Sequence, residues 1–157
     1  MNKIEMNLKR EDLDSQLYPK LRNQVFHYTT KSKLEKIMES GFLLTSGSKN
    51  LSATSIHSNS STGQHLGAVC LFDLRDKTDQ QIAPGKSYYN FLSPHVKISS
   101  VAYLVLSSDF YTDLKTLNEI DEWSRTNTMY LPEIESWHLG HLRLEKISTI
   151  YVVNLID

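Results

Sequence analysis

The acids Glu133 and Glu135 in "PEIES" stand two residues apart. On an extended backbone, residues so spaced project to one face, so the pair aims two carboxylates at one spot and sends Ile134 the opposite way, into the core. Like charges this close raise one pKa and cost stability unless they meet water or a cationic ligand. Two readings stand level on the pattern. The pair is the solvated face of an edge strand, or it binds a ribose hydroxyl and stabilises positive charge developing on a sugar. His27 raises a parallel question. It follows the apolar start of "QVFHYT", just before a helix pattern, where it is either a structural histidine at a strand end or part of a ligand-gripping motif.

Other chemistries find less support. The six histidines include His138 and His141 three apart, His57 and His65 in a polar stretch, and His95 after a proline. None forms a helical His-x-x-x-His pair and no cysteine cluster accompanies them, so no metal site is expected. Cys70 is the only cysteine; no intramolecular disulfide can form, and its apolar run "GAVCLFDL" reads as a buried, inert thiol. A Gly-rich phosphate loop and a Gly-x-Ser-x-Gly elbow are both missing from the sequence, which argues against a P-loop enzyme and a common serine hydrolase.

These residues must be positioned by a chain of 157 residues, long enough for one domain with a real core. The formal net charge of -1 excludes a strongly basic nucleic-acid binder of the usual kind. The start of the chain lacks the apolar core of a signal peptide and no stretch is long enough to cross a membrane, so the cytoplasm is the expected compartment. Met1 to Lys20 is polar, with Leu8, Leu13 and Leu17 loosely spaced, and reads as a short helix or partly ordered arm. "QVFHYT" reads as a strand. Ser32 and Glu35 match a capping box, Leu34, Ile37 and Met38 share a helix face, and Gly41 stands where a left-handed C-terminal glycine belongs. "FLLTS" resumes as an extended segment. Ser46 to Gly63 is rich in Ser, Asn, Thr and Gly and reads as an exposed loop, either a binding loop or an insertion.

Three apolar runs, "GAVCLFDL", "SVAYLVLS" and "STIYVVNLI", read as core strands, and "PEIESWHLG" as a further strand with Pro132 at its start. Leu114, Leu117 and Ile120 suggest a helix within "SDFYTDLKTLNEIDEWSR", and "LRLEKI" a short turn or helix before the last strand. Strands outnumber helices, which points to an α+β fold with few helices on mostly antiparallel sheets.

"QVFHYTTKSKLEKIMESGFL" resembles the first motif of the ADP-ribosyltransferase fold, in the His-type branch that includes tRNA 2′-phosphotransferases and DNA-targeting ADP-ribosyltransferase toxins. Small bacterial His-Tyr-Thr proteins, some linked to abortive phage infection, are similar here too. The resemblance implies that His27 contacts the adenosine ribose of NAD, with Tyr28 and Thr29 shaping the adjoining wall. "SYYNFLSPHVKISSVAYLVLSSDFY" is similar to a toxin segment in which an aromatic pair precedes a proline and a core strand. It implies that Tyr88 or Tyr89 stacks on nicotinamide, with Tyr89 favoured because Asn90 beside it adds a polar contact. "PEIESWHLGHLRLEKISTIYVV" is similar to the closing motif of the family, with Glu135 as the motif glutamate. The Glu-x-Glu form resembles arginine-targeting members, in which the first acid, here Glu133, helps the acceptor.

The order His, Tyr, Glu agrees with the family from Phe26 to Val153. One departure is that the additional catalytic arginine of the toxins has no counterpart, with Lys49 as a stand-in; another is that less room is left for a substrate-recognition loop.

The resemblance implies a single domain over residues 1–157 with an ADP-ribosyltransferase-like split sheet. The implied activity is NAD-dependent mono-ADP-ribosylation by a bacterial or phage toxin or defence effector. NAD is the substrate, Glu135 and Glu133 are the catalytic acids, and the acceptor is a protein or nucleic acid. The alternative is a catalytically inactive module of the same fold that binds a partner, as an antitoxin or regulator does. RNA 2′-phosphate transfer calls for clustered arginines, and Arg10, Arg22, Arg75, Arg125 and Arg143 are scattered.

Overall fold

The computed structural model describes residues 1–45 and 61–157. The chain begins with strand β1 (Asn2–Lys9), not with a helix or loose arm. Its residues alternate Lys3, Glu5, Asn7, Lys9 against Ile4, Met6, Leu8, which is the period of a strand. Leu13 and Leu17 follow in a wide helical turn (Leu13–Leu17) and Leu21 ends helix α1 (Tyr18–Leu21); all three are fully buried.

Strand β2 (Val25–Thr30) leads into helix α2 (Lys31–Ser40). The N-cap is Thr30, whose hydroxyl accepts from the Lys33 backbone N–H at 3.4 Å, so the helix starts before the expected Ser32. Leu34 and Ile37 are buried, while Met38 is 39% exposed and lies off the core face. Gly41 ends the helix at φ 78°, a left-handed conformation that only glycine takes without strain. Strand β3 (Phe42–Leu43) is only two residues long. The expected loop from Ser46 to Gly63 lies mostly outside the described residues, Lys49 and His57 included. Its last part is not loop: the Ser61 hydroxyl caps helix α3 (Thr62–Leu66), and Thr62 is fully buried.

After strand β4 (Ala68–Asp73) comes helix α4 (Asp79–Tyr89), which the sequence reading missed. Thr78 and Gln81 form a reciprocal capping box at its start, and Asn90 closes it at φ 52°. Strand β5 (Ser100–Leu106) follows. The helix expected across Leu114, Leu117 and Ile120 is instead broken into 3₁₀ turns (Ser108–Asp113 and Leu117–Glu119), strand β6 (Leu114–Lys115) and helix α5 (Glu122–Asn127). Ser107, Thr116 and Asp121 precede these pieces and bond locally, so the chain is capped and restarted three times. Strand β7 (Glu135–Leu139), strand β8 (Leu142–Arg143), a 3₁₀ turn (Leu144–Lys146) and strand β9 (Ile147–Ile156) complete the fold.

The described residues form a mixed α+β fold around a seven-stranded sheet ordered β1-β9-β5-β2-β4-β7-β6, with β3 and β8 paired separately. Every adjacent pair in the large sheet is antiparallel except β1 with β9. Both faces are covered. Phe26, Tyr103, Val105 and Val153 pack with Leu13, Leu17, Leu21 and Ile82 on one face. Val25, Leu104, Ile150 and Val152 pack with Leu34 and Ile37 of α2 on the other. No helix among the described residues is long and apolar enough to cross a membrane.

One irregularity prepares the site. Strand β2 pairs with β5 from Phe26 to Thr30, but with β4 only at Val25–Asp73 and Phe26–Phe72. Beyond Phe26 the sheet is parted between β2 and β4.

Candidate active site

A cavity of about 730 Å³ opens at this parting, within the usual size range of small-molecule sites. Its lining includes His27, Tyr28 and Thr29 from β2, Cys70 and Phe72 from β4, Tyr88, Tyr89 and Asn90 from the end of α4, and Glu135 from β7. The expected NAD contacts and one of the two acids lie on separate segments of the sequence; the fold gathers them at one cleft. Alternation sends His27 to the α2 face, with Val25 and Leu104. Glu135 pairs opposite Phe72 and shares the other face. The two residues can line one cavity because β2 and β4 have separated.

His27 is oriented by a 3.2 Å contact between Nδ1 and the carbonyl oxygen of Cys70. A carbonyl only accepts, so Nδ1 carries the proton and donates it, which leaves Nε2 as a lone-pair acceptor. Burial pushes the imidazole pKa down, and Lys33 adds to this, while the bond to Cys70 opposes it. A neutral imidazole with a fixed tautomer is suited to accept a hydrogen bond from a ligand hydroxyl.

Glu135 is held from two sides. Oε1 accepts from the Leu131 backbone N–H at 3.1 Å and Oε2 from the Trp137 indole N–H at 2.7 Å. Burial nevertheless raises its pKa to about 7, against the opposing bonds from Leu131, Trp137 and the Cys70 thiol. Cys70 is therefore not a bystander in the core. It is partly exposed, lines the cavity, and touches both halves of the site, with its carbonyl toward His27 and its thiol toward Glu135. The cross-strand pairs Phe72–Glu135 and Cys70–Trp137 put Cys70 diagonal to Glu135 on one face.

Tyr89 lies edge-on to Phe72, centroids 6.1 Å apart, and beside Tyr88 at 5.4 Å. Burial, then the nearby Glu135, push its phenol up to about 12. Tyr28 packs on Tyr103 at 5.2 Å, and burial pushes its phenol up to about 12 as well. Thr29 is 8% exposed. Asn90 lines the cavity while its backbone serves as the left-handed cap of α4.

Glu133 departs from expectation. It precedes β7 in a turn at φ 72°, is exposed, and does not share a strand face with Glu135. Ile134 is buried as expected, but from that turn. Glu133 lines a second cavity of about 720 Å³ with Gln80, Gln81, Pro84, Tyr130 and Pro132. The two cavities share Tyr88, Tyr89, Met129 and Leu131 as a common wall.

Sequence reasoning also missed Arg10. Its guanidinium donates to the carbonyls of Pro94 at 2.9 Å, His95 and Val96 at 3.2 Å, and Ile98. It thereby ties down a segment of which Pro94, His95 and Ile98 line the cavity. No local motif marks such a residue. Among the described residues, no group of three or more His, Cys, Asp or Glu side chains is placed to hold a metal ion. Lys146 sits between Asp113 at 3.1 Å and His138 at 3.3 Å, His141 accepts from the Thr45 N–H at 3.0 Å, and His65 packs on Trp123 at 4.7 Å.

No protein-family model matches the chain, and no curated protein or solved structure matches it.

Proposed function

We propose that the protein is an NAD-dependent mono-ADP-ribosyltransferase acting on a macromolecule, in the manner of a toxin or defence effector. One observation carries the reading: His27 of β2 and Glu135 of β7, on either side of the parting between β2 and β4, line one cavity with Tyr89 and Asn90. In this reading His27 Nε2 accepts from an NAD ribose hydroxyl, Tyr28 and Thr29 form the adjoining wall, and Tyr89 faces the nicotinamide with Asn90 beside it. The ionised Glu135 accepts from the hydroxyl of the second ribose. As the bond between ribose C1′ and nicotinamide breaks, its electron pair passes to the ring and cancels the pyridinium charge. The resulting oxocarbenium-like sugar is stabilised by the Glu135 carboxylate, an effect worth about 3–4 kcal/mol in comparable electrostatic sites. The acceptor nucleophile bonds to C1′ and loses a proton. Glu133, in the second cavity that shares this wall, helps to position the acceptor, whose proton passes to water.

The test is incubation with labelled NAD and cell extract, comparing the native protein with Glu135→Ala. Transfer of label by the native protein and its loss in the variant are expected. Folded protein that neither binds NAD nor transfers label overturns the reading and leaves the catalytically inactive binding module of the same fold.

A further inference from the structure

Strand β1 forms one edge of the large sheet, with β9 as its only strand neighbour among the described residues. It is eight residues long, and its register with β9 runs without a break from Asn2 to Lys9. No proline interrupts it. An edge of this length presents a row of backbone N–H and C=O groups to any strand that can pair with it. Asn2, Lys3, Ile4 and Glu5 are all exposed, whereas in the second half exposed Asn7 and Lys9 alternate with half-buried Met6 and buried Leu8. Ile4 is 42% exposed although it belongs to the face on which Met6 and Leu8 meet the core.

We infer that this edge pairs with the β1 of a second copy of the chain, antiparallel and centred on Ile4. A two-fold axis there opposes Ile4 to itself and sets Lys3 of each protomer against Glu5 of its partner, giving two opposite-charge pairs. Neighbouring registers are worse. Centring on Glu5 opposes Glu5 to itself, and centring on Met6 sets Lys3 against Lys9. The Glu5 carboxylate is held in position within its own protomer, accepting from the Asn154 amide at 3.2 Å and lying 3.7 Å from Lys31. The pairing leaves the cavity beyond β2 untouched, because β9 and β5 lie between.

Sedimentation equilibrium of the full chain tests this, with circular dichroism to verify folding. A reversible dimer is expected. Lys3→Glu or Glu5→Lys alone turns both pairs repulsive and weakens it about tenfold or more. The Lys3→Glu/Glu5→Lys double variant restores it. A monomer at every concentration overturns the inference, as does a dimer indifferent to Lys3→Glu or one that the double variant fails to restore.

Discussion

The Nδ1 of His27 lies 3.2 Å from the carbonyl oxygen of Cys70, across the line where β2 and β4 cease to pair. The same residue turns its thiol to Glu135 on the other face. The carbonyl and the side chain of Cys70 thus reach the two halves of the cavity, and the carbonyl fixes the imidazole tautomer.

The tautomer is open to measurement. Nitrogen-15 NMR of His27 should show protonated Nδ1 and bare Nε2, with charging only below the ordinary imidazole range because burial lowers its pKa. A histidine depressed in the folded state contributes stability above its unfolded pKa, and that contribution is lost as pH falls. In the proposed mechanism, His27→Ala raises the KM for NAD about tenfold, the loss of roughly one hydrogen bond, with a smaller change in kcat. An Nε2–H tautomer contradicts the acceptor role.

Glu135 should set the pH profile. Burial raises its carboxyl pKa to about 7, and the proposed mechanism uses the ionised form, so turnover should climb through about pH 7 to a plateau. Stability should move the other way. A carboxyl raised from 4.5 to about 7 stabilises the fold fully below 4.5 and ceases to do so as pH rises through 7. Glu135→Gln should lower kcat by about 10²–10³ and flatten this part of the stability profile. Equal slopes for both proteins in urea titrations across that range speak against the assignment.

Cys70→Ala removes the thiol that donates to Glu135 and should move the midpoint of the pH–rate profile upward, toward weaker acidity. Cys70→Ser, which keeps a donor, should restore the midpoint. Two indistinguishable profiles for native and Cys70→Ala protein would remove the thiol from the mechanism.

Gly85 of α4 has no room for a side chain. A Cβ there meets Ile134 Cδ1 at 2.0 Å and Cγ1 at 3.1 Å, and Ile134 is 1% exposed. Gly85→Ala should therefore destabilise by about 1–3 kcal/mol despite the higher helix propensity of alanine. In thermal melts, adding Ile134→Ala should cost less in the Gly85→Ala background than in the native protein. Simple additivity counts against this contact.

The elements that were legible in the sequence bury continuous apolar runs or carry local punctuation. Strands β4, β5 and β9 read directly from their Val, Leu and Ile content, and α2 from its glycine stop. Strand β1 carried perfect alternation, but its apolar side chains include exposed Ile4, and the leucine spacing that continues into Leu13 and Leu17 obscured the period. Helix α4 hid because "QQIAPGKSYY" carries Pro84 and Gly85 in its interior, against helix propensity; only the packing of Ile134 explains that glycine. For the site, His27, Tyr89 and Glu135 are each legible in the sequence as candidates. Their convergence depends on strand order and on the short β2–β4 ladder, which no local pattern encodes. Glu133 was misplaced because spacing assumes an extended backbone, and φ 72° breaks that assumption.

The parallel pairing of β1 with β9 also governs the order in which the protein can be assembled. Among the described residues, β1 precedes every other strand and has no strand neighbour until β9 has been made. Contacts of such long sequence separation form late and slowly. Strands β5, β2, β4, β7 and β6 adjoin one another and all lie between Val25 and Leu139. During vectorial synthesis these five strands, those that frame the cavity among them, are therefore in hand before Ile147–Ile156 arrives beside β5, while β1 waits for β9 to pair with its edge.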